Sequence, residues 1–124
     1  MNSVSVRYLV NDVDQAIEFY TKMLDFKLEA HPVPEYAVVS KGDFKLHLTR
    51  PDHMTKQQGP ANADSTAAPG GWNRLWVQVD DLEPKVETLK KAGCKFRGEM
   101  IKGSWGKMIL VMDPSANLIE LVGP

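Results

Sequence analysis

Two residues stand out as able to move or hold a proton on a small molecule, because each interrupts an apolar run. His47 lies between Leu46 and Leu48, and Glu120 lies between Ile119 and Leu121. Successive side chains of a strand point to opposite faces, so both polar groups are expected on the side away from their apolar neighbours. His47 then shares a face with Lys45 and Thr49. An imidazole placed there can act as a general base, as a donor to a ligand, or as a hydrogen-bonded structural histidine, and it titrates near neutral pH. Cys94 is the only cysteine. It follows a helix stop with no base identified near it, which reads as packing rather than nucleophilic chemistry. His31 and His53 read as loop or strand-end residues without partners, and neither is assigned a function. Gly-x-Ser-x-Gly elbows, phosphate-binding glycine loops and dinucleotide fingerprints are absent from the sequence, which sets those enzyme classes aside.

The elements that must carry these residues follow from periodicity. Val4 to Val10 alternates, with Val4, Val6, Tyr8 and Val10 on one side and Ser5, Arg7 and Leu9 on the other. Asp12 or Asp14 can cap a following helix whose apolar side is Ile17, Tyr20, Met23 and Leu24. Strands are expected near 27–31, 36–40 and 44–49, the last two joined by a tight turn at Lys41-Gly42-Asp43. The same order then recurs. Leu75, Val77 and Val79 alternate with Arg74, Trp76 and Gln78, Pro84 fits the first turn of a second helix, and Leu82, Val86, Leu89 and Ala92 form its apolar side up to a stop at Gly93. Strands near 95–100, 107–112 and 117–122 complete the second unit. A constant offset aligns Ser5 with Arg74, Val10 with Val79 and Ile17 with Val86.

The chain therefore reads as one α+β domain over 1–124: a βαβββ module at about 4–49, a linker or lid at about 50–72, and a second βαβββ module at about 73–123. A four-stranded sheet covered by one helix leaves its other face bare. Pairing the two modules into a curved mixed sheet that encloses a cavity would solve that problem, with polar strand residues lining the pocket. The polar linker reads as a lid over that pocket or as a bridge between modules.

Composition narrows the partners. With 43% hydrophobic and 25% charged residues and a net charge of −1, the chain is of ordinary globular type. The basic excess that a nucleic-acid backbone requires is missing. A single cysteine excludes a disulfide framework and a multi-thiolate metal site. The opening residues lack a secretory pattern and no apolar run approaches the ~20 residues that span a bilayer. The expectation is a cytoplasmic protein with neither membrane nor nucleic acid as partner.

Several segments make the sequence similar to the vicinal oxygen chelate superfamily of glyoxalases, bleomycin-resistance proteins and extradiol dioxygenases. Val10-Asn11-Asp12-Val13-Asp14-Gln15-Ala16-Ile17-Glu18-Phe19-Tyr20 resembles the first strand-to-helix junction, and Val77-Gln78-Val79-Asp80-Asp81-Leu82 the second. Met23-Leu24-Asp25-Phe26 resembles the Leu-Gly-Phe exit of the first helix with Asp25 in place of Gly. Asp113-Pro114-Ser115-Ala116-Asn117-Leu118-Ile119-Glu120-Leu121 resembles the terminal Asp-Pro-x-Gly-Asn-x-x-Glu-Leu with Ala116 in place of Gly. The resemblance implies a homodimer that binds a small molecule. It also implies four metal-ligand positions, which fall on Ser5, His47, Arg74 and Glu120. A serine hydroxyl is a weak ligand, and a guanidinium has only donors and stays protonated, so two of the four positions are lost. No metal ligand is assigned and no cofactor is required; a divalent ion would need water or substrate to complete its shell.

Arg74 beside Glu120 reads either as an ion pair in place of the metal, or as an anion clamp beside a carboxylate that acts as base or acceptor. The expected lining is Ser5, Arg7, Arg74, Trp76 and Gln78 as ligand-binding groups, with His47 and Glu120 as the catalytic pair in any reaction. This set prefers an anionic or acceptor-rich organic ligand. Trp76 is either a stacking platform or packing in the core or a dimer. Trp72 and Trp105, both beside glycines, are either aromatic walls or loop packing. The expected function is small-molecule binding of the glyoxalase and bleomycin-resistance type, the alternative a lyase or isomerase using His47 and Glu120.

Overall fold

The computed structural model describes residues 5–53, 69 and 73–124. The chain divides into two compact units, Met1–Pro69 and Gly70–Pro124. Trp72 and most of the 50–72 connection lie outside the described residues.

In the first unit β1 (Ser5–Leu9) leads into α1 (Val13–Glu18), which runs on as a π-helical turn at Phe19–Met23 before β2 (Lys27–Val33), β3 (Tyr36–Lys41) and β4 (Phe44–Thr49). The four strands form one mixed sheet in the order β1-β4-β3-β2, with β1 parallel to β4. Asp12 caps α1 by accepting a hydrogen bond from the Gln15 amide at 2.9 Å, satisfying a donor that the helix itself cannot. The π-helical turn changes the expected apolar side. An extra residue per turn shifts the period from Phe19 on, so Phe19 and Tyr20 are both buried while Met23 is only partly so; earlier, in the regular helix, Val13 and Ala16 are buried and Ile17 partly. Tyr20 is fully enclosed, with its ring edge-on to Phe19 and to Phe26. α1 packs on β3 and β4, against the face that carries Ala37, Val39, Leu46 and Leu48, all fully buried. Val6, expected on that covered face, is 36% exposed.

The second unit repeats the plan: β5 (Arg74–Gln78), α2 (Leu82–Lys91), β6 (Lys95–Gly103), β7 (Gly106–Met112) and β8 (Leu118–Gly123). Its sheet has the order β5-β8-β7-β6, with β5 parallel to β8. Leu82, Val86 and Leu89 of α2 are buried as expected, but Ala92 is exposed beyond the last turn. Gly93 stops the helix at φ +84°, the left-handed conformation that closes many helices. Among the described residues no helix is long and apolar enough to cross a membrane.

The two positions where the sequence departs from a glycine pattern both adopt that same conformation. Asp25 has φ +63° and Ala116 φ +67°. A Cβ in this region costs about 1 kcal/mol, less for Asp, whose short polar side chain tolerates it.

Candidate functional site

Register decides which side chains meet. The two-residue turn at Gly42-Asp43 pairs Lys41 with Phe44 and thereby sets Val38 opposite His47 and Tyr36 opposite Thr49. On the other side of β4, Arg7 is opposite His47 and Ser5 opposite Lys45. Ser5, Arg7, Tyr36 and His47 thus share the face of the first sheet away from α1. The imidazole Nδ1 of His47 is 2.5 Å from the Tyr36 hydroxyl. The guanidinium carbon of Arg7 is 5.8 Å from the centre of the Tyr36 ring, within cation–π range. Burial pushes the His47 pKa below its ordinary value, and the positive charges of Arg7 and Lys45 push it the same way. Both effects favour the neutral imidazole over the imidazolium.

Two residues of this cluster escaped the sequence reading. His53, expected to have no partner, lies in a short 3-10 turn with its ring parallel to Tyr36 at 5.7 Å. Tyr36 joins all three cationic or titratable neighbours. Its signal was present: once Gly42 sets the hairpin, counting outward puts residue 36 diagonally beside residue 47.

The second sheet positions its residues by a different local device. Asp113 caps the tight connection before β8, its Oδ1 accepting from the amides of Ser115 at 2.9 Å and Asn117 at 2.8 Å. That connection starts β8 so that Glu120 falls opposite Trp76 of β5, with Arg74 two residues earlier on the same face. Arg74 Nε is 2.9 Å from Glu120 Oε1, an ion pair in which the arginine side chain is 43% exposed and the carboxylate 18%. Trp76 is 60% exposed, so it is not core of this chain. Gln78 is exposed further along β5. Trp105 is in the turn between β6 and β7, 59% exposed, at the sheet end marked by Gly123 rather than beside Glu120. It folds back over Gly103, where an added Cβ would lie 2.5 Å from the indole Nε1.

The residues at the four metal-ligand positions do not fit a divalent ion. The Arg74 guanidinium holds one carboxylate oxygen of Glu120 and would repel a cation placed there. Ser5 supplies only a neutral hydroxyl, and Nδ1 of His47 is engaged by Tyr36. Within either unit no three described His, Cys, Asp or Glu side chains gather as a metal site would require.

A family model, described as the Glyoxalase/Bleomycin resistance protein/Dioxygenase superfamily, matches residues 3–121. The chain belongs to this superfamily. Proteins similar to it include the mitochondrial methylmalonyl-CoA epimerase of Homo sapiens, 28% identical over 120 residues that cover 92% of this chain and 66% of the epimerase. A probable chloroplastic lactoylglutathione lyase of Arabidopsis thaliana is 30% identical over 124 residues, covering 94% of this chain and 34% of the lyase. The chain thus spans about two thirds and one third of these relatives. Among solved structures, a superfamily member from Sphaerobacter thermophilus DSM 20745 superposes with a TM-score of 0.77 at 20% identity, covering 100% of this chain and 98% of that one. Its two mixed sheets are the superfamily fold.

Proposed function

We propose that this superfamily member binds a small planar organic molecule carrying a carboxylate or similar oxygen acceptor, without an obligatory metal. The observation that carries the reading is the Arg74–Glu120 pair at 2.9 Å, because it puts a fixed cation where the resemblance places a metal ligand. In the first unit Arg7 supplies a hydrogen-bond fork with Ser5 and His47 beside it on the sheet, and in the second Arg74 supplies another with Gln78 further along its strand; exposed Trp76, and Trp105 at the far end of its sheet, offer ring faces for stacking. The protein acts as a cytoplasmic homodimer. Burial pushes the Cys94 pKa up, which disfavours the reactive thiolate.

The experiment is a titration of the full chain with 4-hydroxybenzoate and related planar carboxylates, followed by tryptophan emission and melting temperature. Saturable binding with ligand recovered unchanged, and weaker binding by Arg74→Ala, is the expected result. A panel that shifts neither signal, or an Arg74→Ala dissociation constant equal to wild type, removes the reading.

A second reading is favoured by the relatives, which are named as an epimerase and a lyase. Here His47 and Glu120 move protons on a bound substrate; any divalent ion would need water or substrate to complete its shell. Near-stoichiometric Zn, Ni, Mn or Fe in protein purified without chelator, together with turnover lost in His47→Ala, would establish this reading over the first.

A further inference from the structure

We infer that Tyr36 is a positioning residue that acts through His47. Its phenolic hydrogen is donated to Nδ1 and holds the imidazole in the tautomer protonated on Nε2, so this face offers a neutral N–H donor rather than a base. The ligand clause of this inference rests on the binding function proposed above; the tautomer clause does not.

Two arrangements satisfy a Tyr36 Oη to His47 Nδ1 separation of 2.5 Å. Either the phenol donates to a bare Nδ1, or an Nδ1–H donates to the phenolic oxygen. A neutral imidazole carries one donor and one acceptor nitrogen, and its sp² lone pair is the stronger acceptor of the two groups. A phenolic oxygen has part of its electron density drawn into the ring, while its O–H is a good donor. The first arrangement therefore pairs the better donor with the better acceptor. The second would pair the poorer ones and leave the phenolic hydrogen unused.

The surroundings disfavour the third state, in which both nitrogens carry protons. Arg7 is the cross-strand partner of His47, and Lys45 is two residues back on the same face. A second positive charge on the imidazole would face both. Tyr36 is held for its task by its parallel contact with His53 at 5.7 Å and by Arg7 against its ring. Nε2 of His47 makes no hydrogen bond to any described residue, so the proton forced onto it is the one left to meet a ligand. Both nitrogens are then committed. His47 cannot take a proton from a substrate unless the Tyr36 bond is broken first, and what it recognises beside Arg7 is an oxygen acceptor.

The test uses uniformly ¹⁵N-labelled full-length protein without ligand at pH 7.5. Long-range ¹H–¹⁵N correlations of the imidazoles distinguish the two tautomers, and the His47 signals are assigned by their loss in His47→Gln. The expected result is an Nε2–H tautomer in the wild type and a mixture of tautomers in Tyr36→Phe, which keeps the ring and its stacking. An Nδ1–H or doubly protonated His47 in the wild type overturns the inference, and so does a Tyr36→Phe spectrum with the same single tautomer. Should Tyr36→Phe not fold, the wild-type spectrum alone still decides. With 4-hydroxybenzoate as probe, Tyr36→Phe should bind about 5- to 10-fold more weakly, equivalent to about 1–1.4 kcal/mol; unchanged affinity overturns the ligand clause. Absence of any binding by the wild type counts against the proposed function and leaves the tautomer to stand on its spectrum.

Discussion

The two units solve one problem on the same scaffold in opposite ways. Arg7 opposite His47 in the first sheet corresponds to Trp76 opposite Glu120 in the second, and Val38 opposite His47 corresponds to Leu110 opposite Glu120. In the first unit the chemical group of β4 finds its partner on β3, where Tyr36 stands. The matching position on β7 is Met108, opposite Val122 as Tyr36 is opposite Thr49. A thioether cannot donate to a carboxylate, so Glu120 turns the other way and pairs with Arg74, whose counterpart in the first unit is the short Ser5. Duplicated register thus sets where a polar group stands. The side chain two residues along a neighbouring strand sets what it pairs with.

The largest way to break this contrast is Arg74→Ala. It leaves a mostly buried carboxylate without its cation and the first unit untouched. Affinity for 4-hydroxybenzoate should fall about 10- to 100-fold, the range expected for losing a charge-assisted hydrogen bond worth about 1.5–3 kcal/mol. Stability should drop by about 1 kcal/mol, the pair being partly solvent-screened. Titration and chemical denaturation measure the two effects.

Thr49→Val sharpens the comparison in the opposite direction, by giving the first unit the residue that the second already has at Val122. The Thr49 hydroxyl is fully buried and has no hydrogen-bond partner among the described residues. Replacing it by an isosteric methyl should stabilise by about 1 kcal/mol, seen as a raised denaturation midpoint at unchanged slope. Ala116→Gly should stabilise by slightly less, since relief of the left-handed Cβ penalty of about 1 kcal/mol is offset by the greater freedom of an unfolded glycine. Asp25→Gly should gain less again.

The smallest effect is a pH slope that belongs to the first unit. His47 titrates lower in the folded state than in the unfolded chain. The unfolded state therefore binds more protons as pH falls through about 6.5, the ordinary imidazole value, and stability falls with it towards the depressed folded value. Above that window the contribution is complete. Melts from pH 7.5 to 5 should show a steeper loss in wild type than in His47→Asn, and equal slopes would contradict the assignment.

Most of the architecture was legible from the sequence because alternation and helical spacing are local. β4 was expected at its observed bounds, Gly42 and Gly93 marked a turn and a helix end, and the shared offset matched β1 with β5. The apolar side of the first helix was misread at Met23 because a π-helical turn has no signature in a 3.6-residue period. His53 was passed over because stacking on Tyr36 depends on where the chain returns after β4, which local pattern does not encode. Tyr36 was recoverable from hairpin counting, yet it carries no charge and no motif to draw attention.

By itself the sequence determined the two repeated units, the face on which each polar strand residue stands, and the unsuitability of Ser5 and Arg74 as metal ligands. These follow from side-chain chemistry and from the two-residue period of a strand. Only the tertiary structure decided that His47 answers to Tyr36 while Glu120 answers to Arg74. A hydrogen bond of 2.5 or 2.9 Å requires neighbouring strands in one register, and that register comes from turns and packing that act across the whole sheet.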